Sequence, residues 1–367
     1  MLRTLSRTSS KPKKISPPVS LFVVASDDKI DRKRNSPCIP LELIELVLSL
    51  LPWGVCTRST LSLALTSGFA RASRTFRRIV FRNFFKTVWL QDSCWHRTLQ
   101  ILSLSQARTR DSEGFDLIRT LKTRPTYIIK DCKELKRLRG LRVLCINFDK
   151  EGLQTQHPIC QRLFPHLVSS KLSSLTLDMI PRIDRTLLSF VSETFPCLKT
   201  LLLSVVERLT VDRDCDCWCC FEDVLECCVH SPVPDVYGDV NLLAESYGAA
   251  LQPLTRLVRL QLGIFLSNEQ IIYEHITHPD GDDNCFATSP SDCTKCDMFR
   301  NEVHAREELA SEIVFQRLPN LRQIKWSTFF NRPNSKTVSG GPSQRRRISF
   351  QSGWTTFEAR GGNLVRL

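Results

Sequence analysis

The sequence predicts an α/β protein in which a small module of three helices precedes an irregular array of strands and helices. Two observations support this fold class. Near the start of the chain, apolar residues recur at helical spacing behind a proline, over Ile39–Leu51. After residue 85, short runs of alternating apolar residues recur, each behind an apolar turn such as Leu-x-x-Leu, which is typical of short strands with one buried face. With 367 residues, 42% of them hydrophobic, the chain can bury a core in each part.

The helical module is predicted over residues 38–85. Its first helix begins at Pro40, a residue suited to a first helical turn, and two further helices are expected over 60–66 and 69–85. Apolar side chains also lie off the main stripe of the first helix, and so small a module cannot bury them all. This surplus indicates a surface that docks a partner; packing against the rest of the chain is the alternative.

The strands of the array are predicted around five apolar positions that align when the repeats are superposed: Leu144, Leu175, Leu201, Leu260 and Ile324. They are 31, 26, 59 and 64 residues apart. The first two intervals suit one strand–helix unit each, and the longer two hold an insertion or a second unit. We therefore expect a strand/helix domain over residues 86–330 with Cys-rich insertions.

Two tails carry almost all of the net charge of +13. Residues 1–37 and 331–367 contribute +6 each and are rich in Ser, Pro and Gly, so both are expected to be largely disordered. Because residues 38–330 are close to neutral, nucleic acid is not an expected partner. No apolar run reaches the roughly 18 residues of a membrane-spanning helix and no secretory leader is evident, so we expect no membrane association and an intracellular protein, cytoplasmic or nuclear.

The helical module resembles the F-box family. The family pattern Leu-Pro-x-Glu-Leu-Ile/Leu-x-x-Ile/Val-Leu-x-x-Leu is matched by Ile39, Pro40, Glu42, Leu43, Ile44, Val47, Leu48 and Leu51. Phe69 stands where the family usually has Trp. The resemblance implies docking on the Skp adaptor of a cullin–RING ubiquitin ligase through Pro40, Leu43, Ile44, Val47, Leu48, Leu51 and Phe69.

The array that follows resembles a divergent leucine-rich repeat, a common partner of an F-box. Its units lack the Asn or Cys ladder of regular repeats, so the array is expected to be irregular. Together the two resemblances imply a substrate-recognition adaptor of an SCF-type (cullin–RING) ligase: the module docks the Skp adaptor and the repeat domain binds a target protein whose identity the sequence does not give. An ordinary α/β domain with recurring leucines is the alternative.

The sequence contains none of the common phosphate-binding, metalloprotease or nucleophile motifs, so we assign no catalytic residue and expect neither an enzyme nor a bound cofactor. The competing function rests on cysteines. Cys293 and Cys296 have the C-x2-C spacing of zinc ligands. The site would be completed by Cys285 with His278, or by members of the cluster Cys215–Cys228, namely Cys215, Cys217, Cys219 and Cys220. The alternatives are therefore a zinc- or nucleic-acid-binding protein, or a repeat scaffold without a role in ubiquitylation.

Overall fold

The computed structural model divides the chain into two compact units, Met1–Ile44 and Glu45–Leu367. Leu43 is the one residue of the first unit that the structure describes; all the others belong to the second. The described residues are 73–91, 94–109, 113–167, 171–205, 210–211, 237–266, 296–328, 348–349, 353–361 and 363–367, with Leu43, Leu46, Val47, Gly68 and Phe330.

A nine-stranded, mostly parallel sheet lies at the centre of the second unit. Its order is β1-β2-β3-β4-β5-β7-β8-β10-β11; every neighbouring pair from β1 to β8 is parallel, and β10 is antiparallel to β8 and to β11. Two further short strands, β6 and β9, pair with each other. This confirms the α/β class. The strands are β1 (Thr87–Trp89), β2 (Thr120–Thr123), β3 (Val143–Asn147), β4 (Ser174–Ile180), β5 (Thr200–Val205), β6 (Thr210–Val211), β7 (Arg259–Phe265), β8 (Gln323–Thr328), β9 (Ile348–Ser349), β10 (Gly353–Arg360) and β11 (Asn363–Arg366).

Eight of these strands place one apolar side chain at the same height on the buried face of the sheet. This central apolar row consists of Val88, Leu121, Leu144, Leu175, Leu201, Leu260, Ile324 and Phe357. No member is more than 1% exposed. The five positions aligned in the sequence therefore lie side by side, which fixes the register because a slip of one residue would turn every side chain to the other face.

An apolar turn forms just before the strands β3, β5, β7 and β8. The amide of Leu141 donates to the carbonyl of Leu138 at 3.1 Å, and the amide of Leu257 donates to that of Leu254 at 3.0 Å. The same bond recurs before β5 and β8. Since both apolar residues of each turn, two leucines or Phe195 and Leu198, are buried, the turn holds the chain against the core at the point where it enters the sheet.

The helices of the array pack on the buried face of the sheet. Their buried side chains share one core with the central apolar row, and α6, α7 and α8 contact one another in chain order. This is expected when every crossover between neighbouring parallel strands has the same hand. No described helix combines the length and apolar content needed to cross a membrane. The α-helices are α1 (Arg74–Lys86), α2 (Trp95–Thr109), α3 (Glu113–Asp116), α4 (Pro125–Ile128), α5 (Leu153–Leu163), α6 (Arg185–Thr194), α7 (Val240–Leu251) and α8 (Asp297–Arg317), with 3₁₀ helices at Ile129–Arg137 and Phe164–His166.

Polar groups fix where the helices begin and how they meet. Asp184 and Asp239 cap α6 and α7, since each carboxylate accepts a hydrogen bond from the backbone amide three residues further on, at 2.8 and 2.9 Å. The buried hydroxyl of Tyr247 in α7 donates to the carbonyl of Ile183, just before α6, at 2.7 Å. These bonds set the spacing between neighbouring helices of the array.

The sheet extends into the segment 331–367, for which composition predicts a largely disordered tail. Strand β10 pairs with β8 from Gly353 to Glu358, and β11 folds back on β10. The physical reason is local: Phe357 continues the central apolar row and is 1% exposed. A composition averaged over the basic tail does not reveal this alternation of buried and outward residues.

Most of the predicted helical module 38–85 lies outside the described residues, so its arrangement as three helices stays a prediction. Its last stretch is described as α1, which begins behind the N-cap Ser73, whose side chain accepts from the amide of Phe76 at 3.1 Å. Helix α1 buries Phe84 and Phe85 and exposes Arg77, Arg78 and Arg82. This agrees with the amphipathic pattern of the segment.

Gly263 in β7 provides a test of how closely the strands approach. A Cβ atom at this position would lie 2.7 Å from the Cα atom of Ser204 and 3.0 Å from the carbonyl oxygen of Leu203, both in β5. We expect Gly263→Ala to lower the free energy of unfolding by about 1–3 kcal/mol, because overpacking forces the backbones apart. Urea unfolding under reducing conditions measures this change. Gly238→Ala is the matched control, since its Cβ would meet only Leu242 at 3.6 Å; an equal loss in both variants would contradict the close approach.

Candidate functional site

The side chains that alternate with the buried ones form the other face of the sheet, which we name the open face. Its middle row consists of Trp89, Lys122, Cys145, Thr176, Leu202, Gln261, Lys325 and Thr356. All of them are partly or largely exposed, Trp89 by 42%. Eight strands therefore present a continuous surface of mixed polar and apolar groups, which is a candidate binding surface.

The start of the open face combines an aromatic ring, an ammonium group and a thiol. The Nζ atom of Lys122 lies 5.8 Å from the centre of the Trp89 ring, a distance at which a cation is attracted to the ring face. Burial raises the pKa of the neighbouring Cys145 thiol, against smaller opposing effects of Thr176 and Lys122. Cys145 is therefore a neutral thiol at physiological pH and contributes packing rather than nucleophilic chemistry.

The next strands carry a small polar group at the carboxyl ends of β4 and β5. The hydroxyl of Ser204 donates to the carboxylate of Asp178 and accepts from the amide of Met179 at 3.3 Å. Met179 has a φ of 55°, in the left-handed region that non-glycine residues rarely adopt, and the register between β4 and β5 shifts here. Ser204 thus holds an irregular strand end in place.

The ion pairs and histidines near this edge connect neighbouring units. Arg124 lies 2.6 Å from Asp149, at the ends of β2 and β3, and His157 of α5 lies 3.1 Å from the α6 cap Asp184. No described Ser, Thr or Cys side chain hydrogen-bonds to His157. Burial also raises the pKa of the Cys160 thiol to about 12. The roles that this geometry supports for these groups are structural.

Two of the predicted adaptor-binding residues are described, and both are exposed. Leu43 and Val47 are helical and 51% and 55% exposed, and Leu46 between them is 56% exposed. The other predicted adaptor-binding residues lie outside the described residues: Pro40, Ile44, Leu48, Leu51 and Phe69. Leu43, Leu46 and Val47 are therefore large apolar side chains that are each more than half exposed.

The zinc hypothesis is tested at only one of its residues. Cys296, which directly precedes α8, is fully buried beside Val303 and Phe330. Cys285, His278, Cys293 and the cluster Cys215–Cys228 lie outside the described residues. Among the residues that the structure describes, no group of three Cys, His, Asp or Glu side chains could hold a metal ion. A zinc site built from the remaining cysteines stays a prediction.

Helix α8 contains a buried carboxylate that the sequence reasoning missed. Glu307 is fully buried, and burial raises its pKa to about 7, against the opposing effects of the Thr355 hydroxyl and the Arg366 guanidinium. One turn earlier, His304 accepts a hydrogen bond from Arg366 of β11 at 2.6 Å. Burial and Arg366 together lower the pKa of His304 to about 4, so its imidazole is neutral.

A signal for Glu307 was present in the sequence. The apolar stripe of α8 runs through Val303, Ala310 and Val314, and Glu307 occupies the stripe position between the first two. Ser311 on the same side accepts from the indole nitrogen of Trp326 at 2.9 Å. Polar groups are therefore built into the contact between α8 and the sheet.

Comparison of the chain with protein-family models and with curated proteins finds no match.

Glu307 makes the stability of the protein depend on pH. Its pKa is about 7 in the folded state and 4.5 as an ordinary side chain, so between these values the folded state binds more protons than the unfolded one. The free energy of unfolding should therefore fall as pH rises through this window, by about 3 kcal/mol from this group. We expect Glu307→Gln to be more stable than the natural sequence at pH 8 by about 1–3 kcal/mol, with a smaller difference at pH 5.

The measurement is urea unfolding under reducing conditions at both pH values. Glu308→Gln is the matched control, because Glu308 is adjacent in α8 and exposed. If Glu307→Gln and the natural sequence showed the same pH dependence, the buried carboxylate would not be the titrating group.

Proposed function

We propose that the protein is a substrate-recognition adaptor of an SCF-type (cullin–RING) ubiquitin ligase. In this proposal the F-box-like segment docks the Skp adaptor, and the strand/helix array binds the target protein. The enzyme chemistry belongs to other subunits. The contribution of this chain is to hold the target near the ubiquitin-charged enzyme, so that a bimolecular transfer proceeds as if it were intramolecular.

The observation that carries the proposal is the exposure of the motif side chains. Leu43, Leu46 and Val47 are each more than half exposed. The alternative, that the apolar side chains of this helix pack within the same chain, requires side chains such as these to be buried. Exposed large apolar residues in a helical segment are the kind of surface that a partner covers.

The architecture of the array supports the second half of the proposal. Seven parallel strands follow one another in sequence order, β3, β5, β7 and β8 directly behind an apolar turn, with helices on one face. This is the order expected of stacked strand–helix repeats, since each unit contacts only its neighbours. At about 4.8 Å per strand the open face is about 30 Å wide from β1 to β8. A surface of that width suits a protein target better than a small molecule.

Docking is tested by measuring the affinity of the full chain for a recombinant Skp adaptor by calorimetry. We expect binding by the natural sequence and at least a tenfold weaker affinity for Leu43→Asp and for Val47→Asp, because a carboxylate would be desolvated in an apolar interface. Leu242→Asp is the matched control, since Leu242 is a leucine of α7 with 57% exposure. Its affinity should match that of the natural sequence.

Two outcomes would contradict the proposal. One is the absence of binding by the intact chain. The other is binding that Leu43→Asp and Val47→Asp leave unchanged, which would place the interface elsewhere and favour a repeat scaffold without a role in ubiquitylation.

A further inference from the structure

A row of basic side chains lies along the amino edge of the parallel sheet, one residue before each strand. We name it the basic stripe. In the order of the strands β1, β2, β3, β4, β5, β7 and β8, the residues at this position are Lys86, Arg119, Arg142, Ser173, Lys199, Val258 and Arg322. Five of the seven are cationic, and all five cations are exposed. None of the seven is acidic.

Backbone hydrogen bonds hold the stripe as a regular ladder. The amide of Arg142 donates to the carbonyl of Arg119 at 2.8 Å, and the amide of Lys199 donates to the carbonyl of Ser173, also at 2.8 Å. The same bond joins every successive pair from Lys86 to Arg322. Because the residue before each of these positions is buried, the cations project from a rigid edge and not from a loop.

One cation of the stripe, Arg119, donates a hydrogen bond from its guanidinium to the carbonyl of Gly140 at 3.1 Å, which leaves its charge uncompensated. Among the described residues, no carboxylate forms an ion pair with any of the five. The next residue along the chain, which is the first residue of each strand, is acidic in none of the seven strands. In β7 this residue is Arg259, a further exposed cation. At the β10 end, Glu358 is already engaged by Arg360 at 2.9 Å. An uncompensated row of one sign raises the local potential even though residues 38–330 are nearly neutral in total.

We infer that the basic stripe binds an extended, acidic polypeptide segment of the target. Neighbouring strands are about 4.8 Å apart, so the distance from Lys86 to Arg322 is about 29 Å. An extended chain rises about 3.3 Å per residue, so about nine residues span the stripe. Carboxylates at intervals along such a segment would face the guanidinium and ammonium groups of the stripe. The planar guanidinium of arginine can donate two parallel hydrogen bonds to one carboxylate.

The stripe fits a polypeptide better than a nucleic acid. Its two uncharged positions, Ser173 and Val258, are only partly exposed and suit a neutral or apolar side chain between carboxylates. A phosphate backbone carries a charge at every unit and would leave those positions unmatched. The stripe also contains no aromatic side chain, whereas proteins that bind single strands use aromatic rings as stacking surfaces.

This inference specifies the target class of the proposed function and rests on it for the role of the bound segment. It is tested with the chain alone, without the Skp adaptor, so that a failure to bind acidic peptide is distinct from a failure to bind that adaptor. The probe is a fluorescein-labelled twelve-residue peptide of alternating Glu and Ser, compared with the same peptide bearing Gln for Glu and with an oligonucleotide of twelve thymidines.

We expect the full chain to bind the Glu peptide by fluorescence anisotropy, more weakly as salt is raised, and the double variant Arg142→Glu/Lys199→Glu to bind it at least tenfold more weakly. The matched control is Arg185→Glu: Arg185 is exposed at the start of α6, which follows the carboxyl end of β4, and this variant should bind within twofold of the natural sequence. Circular dichroism checks that all variants keep their fold. A photo-crosslinking version of the peptide should label residues beside the stripe.

Four results would overturn the inference. The double variant could bind as well as the natural sequence; the crosslinks could fall only in residues 1–37 and 331–367, which would assign binding to the basic tails; or the oligonucleotide could bind as tightly as the Glu peptide and lose affinity in the same variant, which would make the stripe a nucleic-acid surface. Equal binding of the Gln peptide would likewise show that charge does not select the ligand.

Discussion

The fold of the sheet depends on one row of apolar side chains, to which each of eight strands contributes one residue, paired in register on the buried face. This central apolar row runs from Val88 at one end to Phe357 at the other, with a leucine or isoleucine on each strand between them. Once that row is in register, every other position of the unit is fixed relative to it. The apolar turns fall before the strands, the open face receives the alternate residues, and the position just outside the sheet becomes a continuous edge.

Much of the sheet could be predicted because its signal is periodic. The positions of Leu144, Leu201 and Ile324 were aligned from sequence alone, although insertions make the spacing irregular, because each follows the same turn. Strands β1 and β2 were missed because three or four residues are too few for an alternation to appear. Strand β10 was missed because composition was averaged over a basic tail. In each case the decisive information was one buried residue in register with its neighbours.

The candidate sites were less predictable, because they depend on which residues become neighbours. A count of charges along the chain identifies the tails as the source of the net charge. It does not reveal a row such as Arg119, Arg142 and Lys199, because these residues are far apart in sequence and lie along one edge of the sheet. Glu307 resembles any surface glutamate of a helix until its position in the apolar stripe is considered. The motif residues show the opposite case: their spacing predicts an amphipathic helix and a docking surface. Leu43 and Val47 are exposed, and docking itself, which depends on a partner, stays a prediction.

The hairpin of β10 and β11 affects how copies of the protein meet one another. A parallel array that ended at β8 would leave the unpaired groups of a six-residue strand at its edge, ready to pair with another chain. The antiparallel β10 covers that edge and β11, four residues long and bearing Arg366, replaces it. At the opposite edge β1 has only three residues. Short edge strands with charged side chains pair poorly with the edge strand of another copy. The open face can therefore carry apolar groups such as Leu202 while the sheet edges do not promote self-association.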